Sequence, residues 1–257
     1  MNNKVWLDCY TQRSGSLLEV VIIGMGGVGC IVAAHISRIL SFTPPFTEIK
    51  VIRVLFIDGD SFEFRNAERQ RFHRLGKKAE VQAELLSKEY PRIFYGFIPR
   101  FVGENSSERE VPVESVVREN RIVFLAPDNG KTRKIVNDAC TNLKNSVLIC
   151  GGNDVADGYG HLFVRREGKD ATLPITYHNP AVSEPKDKSP ADMGCAELME
   201  IKPQLYLANL DVATTMIILF YSLVTTPMDK GLPFFRVFCD SSTGKRRVIV
   251  NDQTLNP

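Results

Sequence analysis

No two of the six cysteines, at positions 9, 30, 140, 150, 195 and 239, stand at CxxC spacing, so the 257-residue sequence has no local signature of structural zinc or of a dithiol redox pair. Charge of one sign is not in excess either: 32 Lys and Arg against 30 Asp and Glu leave a formal charge of +2. That balance gives no electrostatic reason to expect a nucleic-acid or membrane partner. The longest apolar run, residues 212–224, falls short of the roughly 20 residues that span a bilayer. Residues 1–15 are polar and mixed rather than charged then apolar, so no signal peptide is expected. A chain of this size without a leader is expected to keep its thiols reduced, in the cytoplasm. Internal repeats and low-complexity tracts are also missing.

What is present is the composition of a globular protein, 44% hydrophobic and 24% charged. The first 150 residues alternate strand and helix patterns. Strands are expected over 17–23, 51–57, 93–101, 122–126 and 146–150, and helices over 28–40, 76–89 and 131–143. Strands joined through helices require right-handed crossovers, hence an α/β, Rossmann-like and mostly parallel sheet with helices on both faces. Residues 171–194 hold four of the 14 prolines and read as a long exposed loop, a length usually tied to function or mobility. An apolar helix over 205–224 and a hairpin of strands 234–239 and 246–250 follow as a C-terminal β elaboration. The whole, 1–257, reads as one domain: residues 17–150, a crossover loop over 171–195, and the helix and strands of 196–257.

Gly24-Met25-Gly26-Gly27-Val28-Gly29 matches GxGxxG where a strand ends and a helix opens. Glycines at Gly24, Gly26, Gly27 and Gly29 permit a tight turn and close backbone approach, and the helix N-terminus offers amide donors to phosphate. Asp58 ends the second strand, where a carboxylate can accept from ribose hydroxyls. It lies 29 residues beyond Gly29, further than usual, because the Pro44-Pro45 loop lengthens the connection. These features define a nucleotide site, assigned to residues 17–150, without choosing between NAD, FAD and ATP.

The stretch 58–80 narrows the choice. Asn66, Arg69, Gln70 and Lys78 cluster beside the ribose carboxylate, as a triphosphate needs and a dinucleotide does not. Asp58-Gly59-Asp60, then Asn66-Ala67-Glu68-Arg69-Gln70, then Gly76-Lys77-Lys78-Ala79 resembles the adenylating domain shared by ThiF, MoeB and the ubiquitin-activating enzymes. There the pattern is D-x-D, N-x-x-R-Q and G-x-x-K. The lysine here comes one residue early, so Lys78 takes the role by the following Ala-Glu, with Lys77 as the alternative. Asp128-Asn129, Arg133 and Asn137 similarly match the family's D-N-x-x-x-R-x-x-x-N element. The resemblance spans residues 20–224.

It implies ATP and Mg²⁺ as cofactors, with Asp60 and Asn129 in the nucleotide site and Asp128 holding the metal. It also implies attack of a carboxylate on the α-phosphorus, giving an acyl-adenylate and pyrophosphate. The implied partner is a small ubiquitin-like, β-grasp protein ending in glycine, and the implied assembly a homodimer. Cys195, at the end of the crossover loop with Pro203 eight residues on, matches the ThiF cysteine that carries a thioester or sulfur-transfer step. The chain departs from its relatives in lacking their two CxxC pairs, so zinc is not expected, and in lacking their N-terminal arginine helix, for which Arg13 is the only nearby candidate. Two rival readings are a non-catalytic nucleotide-binding scaffold and an NAD-dependent oxidoreductase. Phe94, Tyr95, Phe97 and Phe101 read as core rather than as a base-stacking surface, and Cys30 reads as packing.

Overall fold

The apolar runs pair in the spatial order that right-handed crossovers require. In this computed structural model, which describes residues 5–11, 16–177, 179–187 and 206–250, five strands lie parallel. They are β1 (Leu17–Ile23), β2 (Val51–Ile57), β3 (Ile93–Ile98), β4 (Arg121–Leu125) and β5 (Ser146–Asn153), in the order β3-β2-β1-β4-β5. Then β6 (Asp157–Arg166), β7 (Lys169–Asp170), β8 (Phe234–Asp240) and β9 (Lys245–Val250) extend the sheet antiparallel, β5-β6-β8-β9, with β7 on β6. The strand order reverses between β1 and β4, and in open α/β sheets the crevice at the carboxyl ends of such a pair binds ligands.

Helices cover both faces, as expected. α1 (Gly27–Phe42) and α2 (Lys78–Glu89) lie on one face and α3 (Gly130–Thr141) on the other. α4 (Tyr206–Thr225) returns to the first face and packs on α1, β5, β6 and β8. Its Phe220 stacks on Phe46 at 5.7 Å between ring centroids and tilts against Phe124 at 5.5 Å, so it completes the core above β4. By length and composition α4 could cross a membrane, yet here its Val212, Met216, Leu219 and Leu223 are buried in the core.

Several expectations are corrected. The third strand stops at Ile98 because Pro99 has no N–H to continue a ladder. Residues Phe101–Gly103 pair instead with Glu110–Pro112. α2 begins at Lys78 rather than Gly76, since Gly76–Lys77 pair with Ser61–Phe62. β5 runs on to Asn153, and β6 was not expected at all, its glycines at 158 and 160 and His161 having masked the strand pattern. Tyr95 packs on Phe56, but Phe94 and Phe97 are 63% and 45% exposed because β3 is the outermost strand. The expected long loop has structure in its described part: Ile175–Tyr177 and Pro180–Ser183 form helical turns, the second against α3. Cys195 and Arg13 lie outside the described residues.

Candidate nucleotide site

The glycine-rich turn sits on the switch point between β1 and β4. Gly24 has a φ of +87°, and a Cβ there would lie 2.8 Å from the backbone of Ala126 and Pro127. One on Gly29 would lie 1.8 Å from the Gly24 carbonyl oxygen, so both glycines are required by the turn itself. Gly26, by contrast, caps α1 with nothing within 4 Å of a Cβ, leaving the backbone open to a phosphate.

Asp58 leaves β2 beside this turn. Its buried carboxylate accepts from the Met25 N–H at 2.5 Å and the Asp60 N–H at 2.8 Å, which ties the β2 end to the glycine turn. Burial raises the Asp58 pKa against the opposing charge of Lys78. Lys78, buried at the first turn of α2, donates to Asp60 Oδ2 at 3.0 Å; burial alone would discharge it, but Asp58 and Asp60 hold the ammonium charged and its pKa up. Lys77 is exposed and bonds the Gly59 carbonyl, so Lys78 is the lysine that faces the cleft.

Around them runs a cleft of about 330 Å³ lined by Gly24, Gly26, Gly27, Asp58, Asp60, Asn66, Arg69, Gln70, Lys78, Asp128 and Asn129. Four segments distant in sequence thus bring together the expected residues, except Cys195 and Gly29, which lies under the turn. Their parts differ. The Asn66 Oδ1 accepts from the Glu63 N–H, leaving its amide nitrogen to the cleft. Among the described residues the Arg69 guanidinium makes no hydrogen bond or ion pair, its backbone N–H donating to the Asn66 carbonyl at 3.0 Å, and the Gln70 Oε1 is buried without a partner. Asn129 caps α3 by accepting from the Thr132 N–H at 2.8 Å, a structural task that sequence spacing could not separate from binding. Asp128 stands exposed beside it.

Sequence reasoning missed Phe101, Val102 and Asp187 as lining residues and gave Arg133 only as a motif position without a role. Phe101 and Val102 wall the cleft from the segment after β3, which corrects the expectation that Phe101 is plain core. Arg133, buried in α3, bridges the Pro127 carbonyl, the Cys150 Sγ at 3.1 Å and the Tyr159 hydroxyl at 3.2 Å, and so fixes the loop that carries Asp128. Asp187 accepts from the Gly130 and Lys131 N–H groups at the start of α3, and no signal in the sequence marks it. A second groove of about 850 Å³, floored by Gly152, Gly158 and Tyr159, shares Asp128, Arg133, Asn153 and Asp187 with the cleft. Among the described residues no cluster of three or more metal-binding side chains occurs. A lone exposed carboxylate such as Asp128 fits a Mg²⁺ whose other ligands are phosphate oxygens and water.

The remaining described cysteines are packing groups. Cys30 donates to the Met25 carbonyl, and burial pushes both it and Cys140 up to about 12, Cys239 up to about 11 and Cys150 upward against Arg133. A raised pKa keeps the thiol protonated and unreactive. In the folded protein at pH 8, iodoacetamide is therefore expected to leave Cys30, Cys140, Cys150 and Cys239 unmodified, as read by peptide mass spectrometry.

A parallel α/β sheet whose switch point combines a glycine turn, a ribose-range carboxylate and a lysine–arginine cluster defines a nucleotide-binding protein built for a polyphosphate. The chain belongs to the ThiF family, whose model matches residues 11–226. It is 33% identical over 133 residues to the adenylyltransferase and sulfurtransferase MOCS3 of Dictyostelium discoideum, covering 52% of this chain and 28% of that protein. Among solved structures it is similar to E. coli MccB with succinimide, at a TM-score of 0.64 and 20% identity over 96% of this chain and 66% of that one. The structure of MccB with ATP gives 0.62 at 20% identity, and that of PaaA 0.63 at 15%, each with the same coverage. These structural likenesses establish the fold, and the chain spans about a quarter of MOCS3 and about two thirds of the MccB chains.

Proposed function

We propose that this chain is an ATP-dependent adenylyltransferase that activates the C-terminal carboxylate of a polypeptide. The observation that carries the reading is the convergence of Gly26, Asp58, Arg69, Lys78 and Asp128 on one cleft with a second groove opening into it. Asp58 binds the ribose, the open backbone at Gly26 the phosphates, and Arg69 and Lys78 the charge that grows on the leaving pyrophosphate. Phe101 offers a wall to the base. A carboxylate oxygen entering from the groove attacks the α-phosphorus in line, the bond to the β-phosphate oxygen breaks, and acyl-adenylate and pyrophosphate result. Holding the two reactants in line supplies much of the acceleration. Mg²⁺, held by Asp128, would offset phosphate charge.

The family resemblance supports a small β-grasp, ubiquitin-like protein ending in glycine as the acyl substrate. The same resemblance supports a later thioester or sulfur-transfer step at Cys195 and a homodimer. E. coli MccB with MccA is among the similar structures.

Calorimetric titration with Mg·ATP and, separately, with NADH tests the reading. Saturable ATP binding is expected, weakened about ten-fold or more in Asp128→Ala with the melting temperature unchanged, because one charge-assisted contact is lost. NADH binding without ATP binding would replace the adenylyltransferase by an oxidoreductase. Addition of a glycine-ending β-grasp protein should then produce pyrophosphate in the wild type and none in Asp128→Ala.

A further inference from the structure

The core helix α4 carries one polar side chain to the underside of the site. Asn209 is 1% exposed in a mostly apolar helix. Its Oδ1 accepts from the Asn153 Nδ2 at 2.9 Å, while its own Nδ2 is buried without a hydrogen-bond acceptor among the described residues. A buried amide in that state costs free energy, and alanine would also suit the helix better. The sequence nevertheless makes room for it: a Cβ on Gly27 would lie 2.4 Å from that nitrogen. Gly27, the third glycine of the turn, therefore admits the Asn209 amide rather than a phosphate.

Asn153 ends β5 at the carboxyl edge of the sheet and lines both the cleft and the groove. With one N–H engaged by Asn209, the plane of its amide is set, and its second N–H and its Oδ1 are left to a ligand. The geometry points to Asn153 as the group that receives the acyl end of the adenylate, with Asn209 as its positioning residue. This rests on the adenylation reading of the cleft and says where the acyl group lies. A neutral amide suits the task, since it orients a carboxylate by hydrogen bonding without the ion pair that would blunt its nucleophilicity. The buried cost at Asn209 is the kind of local expense that binding sites carry when orientation matters.

The test compares ATP with glycyl-sulfamoyl-adenosine, a stable analogue of glycyl-adenylate, by calorimetry on the full chain. Asn153→Ala is expected to weaken the analogue about ten-fold while ATP changes less than about two-fold, as for one lost hydrogen bond. Asn209→Ala should reproduce that split without touching the ligand, and the double variant should lose no more than either single one. Where Asn209→Ala melts early, Asn209→Ser serves in its place. Equal weakening of ATP and analogue, or unchanged analogue binding in Asn153→Ala, would overturn the assignment. A wild-type chain that binds neither ligand would remove the adenylation reading itself, and the assignment with it.

Discussion

Replacing Lys78 by Met is expected to lower Mg·ATP affinity by about a hundred-fold or more and folding stability at pH 7 by about 3 kcal/mol. The affinity falls because the cleft loses its one buried ammonium among the described residues. Stability falls because Asp58 is left buried beside a neutral side chain; Asp60, half exposed, adds little. The pH dependence has a definite sign. Asp58 has a folded pKa raised by burial, so ionising it disfavours the folded state, and the resulting penalty grows as pH rises through that folded value. In the wild type Lys78 opposes this shift. Without it the shift is larger, and the stability deficit of Lys78→Met should shrink as pH is lowered from 7 to 5 and Asp58 takes up a proton. Urea denaturation at the two pH values reads the effect. An equal deficit at both would mean that Asp58 and Lys78 are not coupled.

The second large effect separates two glycines of one motif. Gly29→Ala is expected to cost about 3 kcal/mol or more, because its Cβ would meet the Gly24 carbonyl at 1.8 Å and backbone cannot yield as a flexible side chain can. Gly26→Ala meets nothing, so its melting temperature should stay within about 2 °C of wild type. Its methyl would stand where the phosphate approaches, and ATP binding should weaken about thirty-fold. A thermal melt and a nucleotide titration on each variant check the contrast. Matching losses of both properties would mean that the turn acts as a unit, without separate structural and binding glycines.

What the sequence disclosed about the site was its local part. The turn after β1, the acid at the end of β2 and the N-x-x-R-Q stretch are contiguous motifs, and their chemistry can be read from spacing. Lys78 over Lys77 could be argued only from a register, and the structure separates them by burial. Asn129 illustrates the opposite difficulty, since one side chain fits both a helix cap and a ligand. Asn153, Asp187 and Asn209 were illegible because tertiary packing brings them to the cleft or beneath it from segments dozens of residues apart. The fold was legible where crossovers are helical. β6 was not, because strand pairing with β5 and β8 outweighs the weak strand preference of its glycines. The exposure of Phe94 likewise depends on β3 being outermost, which periodicity does not reveal.

The place of α4 in the core has a consequence for how the chain is made. Residues 17–153 hold all five parallel strands, yet among the described residues it is Phe220 and its neighbours that close the face at Phe46 and Phe124. During synthesis the ribosome releases the nucleotide-binding half well before α4 emerges, and that half must wait with an apolar face uncovered. Closure of this face is thereby deferred until α4 has emerged, an interval in which nascent chains depend on chaperones. A fragment cut after β7 would carry every motif of the cleft and still lack the helix that closes its core.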